Sequence, residues 1–378
     1  MLHSYTASMR DANRLMDLSG QTDFLQKLQK TFAVAMIDAA FAPLTVQVPK
    51  ARKPRDAPVN TVVRGLGSTI KQVRAAQSRV PMPLTRSPVP EITPRIPAQA
   101  QYLTRKHRSV AGSRGYRLYL PVGRPNGLIL MLHGCNQTPD DFALGTHMNA
   151  LAEKYGIVLA YPEQTRRNSP ACCWNWFKPG HQMRGMGEPA ILASLTRKLM
   201  REFGLGRDRV FVAGLSAGGA MAAILADVYP DIFSAAGVHS GFARGAASGV
   251  VSAVSAMRSG GTSTGIAPVI ASKSCPVRRI IFQGEDDRTV HPSNAAQIVA
   301  AEVGNDVTPD KVAKRTVRGR DYCKSDFTNC DGAVQIELWM IEGSGHAWSG
   351  GRAAGSYTDT KGPDASAQMI RFFMANSA

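Results

Sequence analysis

The sequence predicts an α/β fold: a mostly parallel central sheet with helices on both faces, preceded by a basic N-terminal extension. Three observations carry this. From about residue 102, short apolar runs alternate with segments of helical period, and such alternation builds a parallel sheet covered on both faces. Near residue 214 an apolar run meets a string of very small residues that continues as a helix, a strand-to-helix turn. The chain before that region is basic: residues 1–110 hold 17 Lys and Arg against 6 Asp and Glu, most of a formal net charge of +17.

Taken in order, residues 1–45 have helix-like spacing at Leu25, Leu28, Phe32, Val34 and Ala35. Residues 46–100 are basic and end in PMPLTRSPVPEITPRIP. Proline removes backbone donors and fixes φ, so this stretch reads as an extended linker or surface strap. Strands follow at residues 116–120, 128–132, 157–161, 210–213, 235–238, 279–282 and 336–341, with helical patterns at 189–203, 217–229 and 295–303. The chain thus divides into an extension of residues 1–100 and a second domain of residues 101–378. Neither GxxxxGK[ST] nor GxGxxG follows a strand, so no phosphate-cradling loop is expected.

Composition excludes other classes. At 44% apolar and 19% charged residues the chain is too apolar to be disordered. It has no apolar run of about 18 residues, so no spanning helix is predicted. The opening MLHSYTASMRDANRLMDLSG lacks the basic start, apolar core and cleavage site of a secretory signal. As written, that predicts a cytoplasmic protein, or one whose export signal is missing or unconventional. Of the six cysteines, Cys323 and Cys330 bracket a polar loop that a hairpin disulfide would close. The alternative is free thiols in a reducing compartment; zinc-like CxxC spacing is absent.

The chemistry concentrates at the ends of the predicted strands. Gly214-Leu-Ser216-Ala-Gly218 matches G-x-S-x-G between an apolar β-branched run and a small-residue helix. That turn admits only small flanking residues and lifts the Ser216 oxygen out at the sheet edge, with helix N–H groups and the positive dipole end aimed at the reacting atom. A serine needs a base, and the base an orienting acid. The strand at 279–282 ends in Gly284 and three carboxylates, Glu285, Asp286 and Asp287, which periodicity does not separate. The strand at 336–341 opens into the glycine-rich loop Glu342-Gly-Ser-Gly-His346. His346 is the candidate base, and His291, four residues past Asp287, reads as a loop anchor. Oxyanion donors are expected from the backbone N–H groups of Cys135, in the loop opened by His133-Gly134, and of Ala217. His133 is expected to shape its loop; His147, His181 and His239 have no carboxylate-bearing motif beside them.

These residues together resemble the esterase family of polyhydroxybutyrate depolymerases of short-chain-length type, to which feruloyl and acetylxylan esterases are related. The resemblance runs from about Arg117 to Phe373. Its motifs are Leu132-His-Gly-Cys-Asn-Gln-Thr, Tyr161-Pro-Glu-Gln, Cys173-Trp-Asn-Trp-Phe, Gly214-Leu-Ser-Ala-Gly-Gly-Ala-Met, His239-Ser-Gly, Asp287-Arg-Thr-Val-His-Pro and Gly345-His-Ala-Trp-Ser-Gly-Gly. It implies an α/β-hydrolase fold, with Ser216 as nucleophile, Asp287 as acid, His346 as base and Cys135 at the oxyanion hole. It also implies a Cys135–Cys173 disulfide and an extracellular protein. Two positions depart from the pattern: Gln283 stands where the family usually has His, which is not expected to affect the triad, and Cys172 duplicates Cys173.

The expected activity is ester hydrolysis through an acyl-enzyme, with neither metal nor organic cofactor. Trp174, Trp176 and Trp348 are the expected walls of the acyl pocket, since aromatics give rigid apolar area. Because the chain ends shortly after the His346 loop, soluble 3-hydroxybutyrate oligomers or small esters are expected rather than crystalline polymer. Residues 1–100 are expected to be a solvated strap or a contact for an anionic surface such as a granule coat. Nucleic acid is not an expected partner, for want of zinc-finger spacing or an aromatic-interleaved basic strip.

Overall fold

The computed structural model of the protein describes residues 94, 96–260 and 276–375. The helical pattern of residues 1–45, almost all of the proline-rich strap, and Cys275 lie outside them.

The described strands are β1 (Gln101–Ser109), β2 (Gly112–Leu120), β3 (Gly127–Leu132), β4 (Ile157–Pro162), β5 (Val210–Leu215), β6 (Ala235–His239), β7 (Arg278–Gly284), β8 (Lys311–Val317), β9 (Arg320–Thr328), β10 (Val334–Ile341), β11 (Trp348–Ser349) and β12 (Thr358–Asp359). The helices are α1 (Pro139–Thr146), α2 (Met148–Tyr155), α3 (Gly187–Phe203), α4 (Ala217–Val228), α5 (Val250–Ser259), α6 (Ser293–Val303) and α7 (Ala365–Met374). Ten strands form one sheet in the order β1-β2-β4-β3-β5-β6-β7-β10-β9-β8. From β4 to β10 every neighbouring pair is parallel, while antiparallel strands finish both ends. The parallel block has one functional consequence. The C-terminal ends of β3, β5, β6, β7 and β10, and the loops that follow, share one edge of the sheet.

Strand β5 shows why the residues take this form. Its sequence VFVAGL is buried throughout, and alternate side chains leave by opposite faces. Val210 and Val212 join the core under α3 and α4. Phe211, Ala213 and Leu215 join the one that contains Phe142 of α1 and Phe372 and Phe373 of α7. Phe211 stacks on Phe373 with ring centroids 4.9 Å apart, and truncating such a side chain costs about 3–5 kcal/mol. A third, smaller core lies where α6 covers Ile281 and Ile336.

All seven predicted strands are present, and five more. Of the unpredicted ones, β11 and β12 are only two residues long, and β1, β8 and β9 carry little apolar signal because they bury little. β8 (KVAKRTV) is exposed or half-exposed at every position, and β1 is an edge strand rich in Arg and Lys. Charged edges of that kind resist pairing with other chains. The Cys323–Cys330 disulfide is not formed. Cys323 lies inside extended β9, with five further strand residues before its end, about 16 Å at strand rise. Both thiols are free.

Candidate active site

The site begins with the turn between β5 and α4. A Cβ on Gly214 would overlap the backbone of Gly218, and one on Gly218 would overlap the carbonyl oxygens of Leu132 and His133. The two glycines of the motif are therefore required by contact, because the turn crosses directly over the end of β3. Ser216, between them, is held at φ 58° and ψ −120°, a strained conformation that costs of order 1–3 kcal/mol and persists only when its surroundings enforce it. The surroundings are visible. The Ser216 N–H donates to His239 O at 2.9 Å, and Ser216 O accepts the Ala220 N–H at 2.9 Å. The side chain remains partly exposed.

Two strands away, β7 ends in the loop that carries Asp287. This side chain has no solvent exposure, yet both of its oxygens are fully used. Oδ1 accepts the Thr289 and Val290 N–H groups at 2.9 and 2.8 Å. Oδ2 lies 2.8 Å from His346 Nδ1 and accepts the Gln283 amide at 3.2 Å. Burial pushes the Asp287 carboxyl upward, but the bonds to His346 and to the two backbone N–H groups outweigh it and hold the carboxyl below its usual range. Of the three carboxylates that the sequence left unseparated, only Asp287 is buried; Glu285 and Asp286 are exposed. His346 keeps 12% of its side-chain surface open. The two loops approach closely, since a Cβ on Gly284 would overlap the Ser344 carbonyl.

The third loop follows β3. The Gly134 N–H donates to Gln137 Oε1 at 2.9 Å, and a Cβ on Gly134 would stand 3.7 Å from that of Ser216. Cys135 therefore follows directly on a residue beside the serine, and it is disulfide-bonded to Cys173, as the resemblance implies. Gln137 Nε2 also donates to Asp141 Oδ2 and Ser356 O at 2.9 and 3.1 Å, which clasps residues 350–358 onto this loop. Next to Ser356, Tyr357 stands edge-on to His346, with centroids 6.4 Å apart. Burial pushes its phenol upward.

Two buried histidines hold these loops in register. His133 Nε2 accepts the Gln164 N–H at 3.0 Å, so Nδ1 carries the proton and donates to Gly134 O at 2.7 Å. Burial pushes His133 down to about 4. His239 supplies the carbonyl under Ser216, while its Nε2 accepts the Ser349 N–H at 3.0 Å. It thus ties the serine turn to the loop after His346. Burial, and then the neighbouring His346, push His239 down to about 3.

The tryptophans are placed otherwise than expected. Trp174, Trp348 and Trp176 are 0, 1 and 5% exposed, so none offers an open wall. Trp174 donates its indole N–H to His133 O at 3.1 Å. Trp348 stacks on His239 and bonds Ser366, and Trp176 stacks on Phe242 at 4.2 Å. They support the loops from behind because their large apolar faces bury best against the sheet.

Sequence reasoning gave no role to Gln137, which it met only inside a motif, nor to Glu188, and it expected no effect of Gln283 on the triad. Buried Glu188 gathers Arg114, Asn175, Gln164 and His181, and no motif marks it. Among the described residues no group of three or more His, Cys, Asp or Glu is arranged to hold a metal.

Comparison with known proteins agrees with this architecture. The family profile described as Esterase PHB depolymerase matches residues 114–320. Poly(3-hydroxyalkanoate) depolymerase C of Paucimonas lemoignei is 30% identical over 240 residues, covering 60% of this chain and 57% of the relative. Poly(3-hydroxybutyrate) depolymerase of Ralstonia pickettii is 28% identical over 266 residues, covering 63% and 52%. The chain thus spans little more than half the length of these curated relatives. In structure, the acetyl xylan esterase from Aspergillus awamori superposes with a TM-score of 0.52 at 23% identity, over 65% of this chain and 93% of that one, a likeness of fold. With its profile match extending over more than half of the 378 residues, the protein is a member of the Esterase PHB depolymerase family.

Proposed function

We propose that this chain is a serine esterase in which Ser216, His346 and Asp287 form the catalytic triad. The observation that carries the reading is the 2.8 Å His346–Asp287 hydrogen bond at the sheet edge where Ser216 is held in its strained turn. The ionised, desolvated Asp287 fixes the His346 tautomer, with Nδ1 protonated and Nε2 free to act as base. Ser216 Oγ attacks the ester carbonyl as its proton passes to His346, and the backbone N–H groups of Cys135 and Ala217 hold the oxyanion. Collapse returns that proton to the leaving alcohol. Water then deacylates the enzyme by the same route.

The two depolymerase relatives favour a polyester-type substrate, soluble 3-hydroxybutyrate oligomers first among them. Residues 1–100, with their basic excess, are the proposed contact for an anionic granule or surface. The test is hydrolysis of a 3-hydroxybutyrate trimer beside methyl ferulate and p-nitrophenyl acetate and butyrate, with fluorophosphonate labelling and a Ser216→Ala control. Trimer cleavage and labelling are expected, both lost in the variant, the activity by at least ~10⁴-fold. Turnover of ferulate or acetate esters without the trimer would replace the polyester assignment by a feruloyl- or acetylxylan-type one. Activity that survives in Ser216→Ala would remove the mechanism.

A further inference from the structure

Gln283 is the last side chain of β7 before Gly284 and has no exposure to solvent. Its amide nitrogen lies 3.2 Å from Asp287 Oδ2, 3.1 Å from Val290 O and 3.2 Å from Gly284 O. Three acceptors around one atom settle which end of the amide is the NH₂. The carbonyl end pays for this orientation, because Oε1 is buried with no partner among the described residues. Leu or Met would fill the same space without an orphaned oxygen. Packing alone therefore does not account for an amide here. What the amide adds is an N–H on Oδ2, the oxygen that also accepts His346 Nδ1.

We infer that Gln283 is a positioning residue for the Asp287–His346 pair, fixing the carboxylate plane and moderating the charge that Oδ2 presents to His346. The inference rests on the proposed roles of Asp287 and His346. An oxygen shared between two donors holds each less strongly than it would hold one. With the Gln283 donor gone, Oδ2 binds the Nδ1–H of His346 more tightly and favours the imidazolium, so more alkaline solution is needed to free the base. The other titratable groups facing the pair are His239 from β6 and Tyr357 from the clasped loop, while Glu285, Asp286, Arg288 and Glu342 on the two loops are exposed. The Arg320–Asp359 ion pair lies behind Ser344. A substitution at 283 changes none of them.

The experiment is the pH dependence of kcat/KM on p-nitrophenyl butyrate for the full chain, Gln283→Met, Gln283→Leu and Gln283→His. Fluorophosphonate labelling rate is followed across the same pH range, because it reads only folded molecules if a variant folds poorly. The acid limb is expected to move up by about half a pH unit in the Met and Leu variants. Their plateau kcat should fall about tenfold with KM little changed. Gln283→His, which keeps an N–H in that place, should hold the wild-type midpoint. An acid limb that stays put in the Met and Leu variants overturns the inference whatever the plateau, since lost packing scales the profile without moving it. A wild-type protein unlabelled at Ser216 would overturn the triad reading along with it. Labelled wild type with an unmoved limb overturns the Gln283 role alone.

Discussion

Asp287 and Glu188 are both buried carboxylates, each beside a histidine, and their partners flank the serine strand almost symmetrically. Asp287 follows β7, two strands to one side of β5, while Glu188 is bonded by Gln164, just past β4 and two strands to the other side. The environments differ in kind. Asp287 meets His346 at 2.8 Å and spends its other oxygen on backbone N–H groups. Glu188 pairs with Arg114 at 3.0 Å and takes the Asn175 N–H and amide at 2.7 and 2.8 Å. His181 stands off at 3.4 Å. Its Nδ1 instead receives the Glu188 N–H. Burial pushes Glu188 upward too, and the neighbouring His181 ring and the Asn175 bonds together hold it below the usual range. Carboxylate–histidine proximity is therefore a poor guide to chemistry by itself. The competing donors decide: Glu188, crossed by several, anchors the segments bearing Asn175 and Gln164, whereas Asp287 leaves one oxygen to one imidazole and one amide.

The sharpest way to break that comparison is to neutralise each acid in turn. Asp287→Asn keeps an oxygen for the Thr289 and Val290 N–H groups, so the fold should stand while kcat falls about 10⁴-fold from loss of the correct tautomer. Glu188→Gln should do the reverse. Leaving Arg114 buried and unpaired costs about 3–5 kcal/mol of stability, with kcat/KM held within about tenfold. Calorimetry beside kinetics separates the two. Loss of activity in Glu188→Gln at an unchanged Tm would make Glu188 part of the chemistry.

A smaller effect is expected from the disulfide that ties the loop beside Ser216 to the Glu188 flank. Cys135 and Cys173 are 38 residues apart in sequence, and removing a cross-link of that span from the unfolded chain costs up to about 4 kcal/mol in the loop-entropy account. Cys135 sits on the Ser216 side of the link and Cys173 directly before the Trp174–Asn175 segment that Glu188 holds. A Cys135→Ala, Cys173→Ala variant should melt lower and lose kcat more than KM, because the loop beside Ser216 is freed. Equal kinetics in the reduced and oxidised proteins would confine the bond to stability.

The same contrast explains what the sequence disclosed. The seven predicted strands and the Ser216 turn are legible because burial on both faces and glycine contact leave a one-dimensional trace. Asp287 could be singled out from its neighbours only by family resemblance, since three adjacent carboxylates share one period. Glu188 left no trace, because its partners lie on other segments, whereas Gln283, whose partners are local, showed only as a departure from the family pattern. Arg114 is 74 residues from Glu188. Strands β8 and β9 were missed for the opposite reason: they bury too little to pattern the sequence. The tryptophans misled because an aromatic cluster reads alike whether it faces a ligand or the core.

The smallest expected effect, per group, concerns the two histidines under the site, one on each flank: His133 on the Gln164 side and His239 on the Asp287 side. Both are buried and neutral, pushed down to about 4 and about 3, whereas an unfolded histidine titrates near about 6.5. Below that value the unfolded state binds protons that the folded state refuses. The sign follows: the stability each histidine confers is complete above about pH 6.5 and is lost as pH falls towards its folded value, by up to ~1.4 kcal/mol per pH unit per group. Asp287 and Glu188, held below the usual carboxylate range, begin to withdraw their share only below about pH 4. Between pH 7 and 5 these two histidines should together lower Tm by about 6 °C. His133→Gln and His239→Asn should each remove about half of that slope, and Asp287→Asn should leave it unchanged. If only one histidine variant flattens the curve, the other imidazole takes up its proton in the folded protein, and the two flanks are less alike in burial than their geometry indicates.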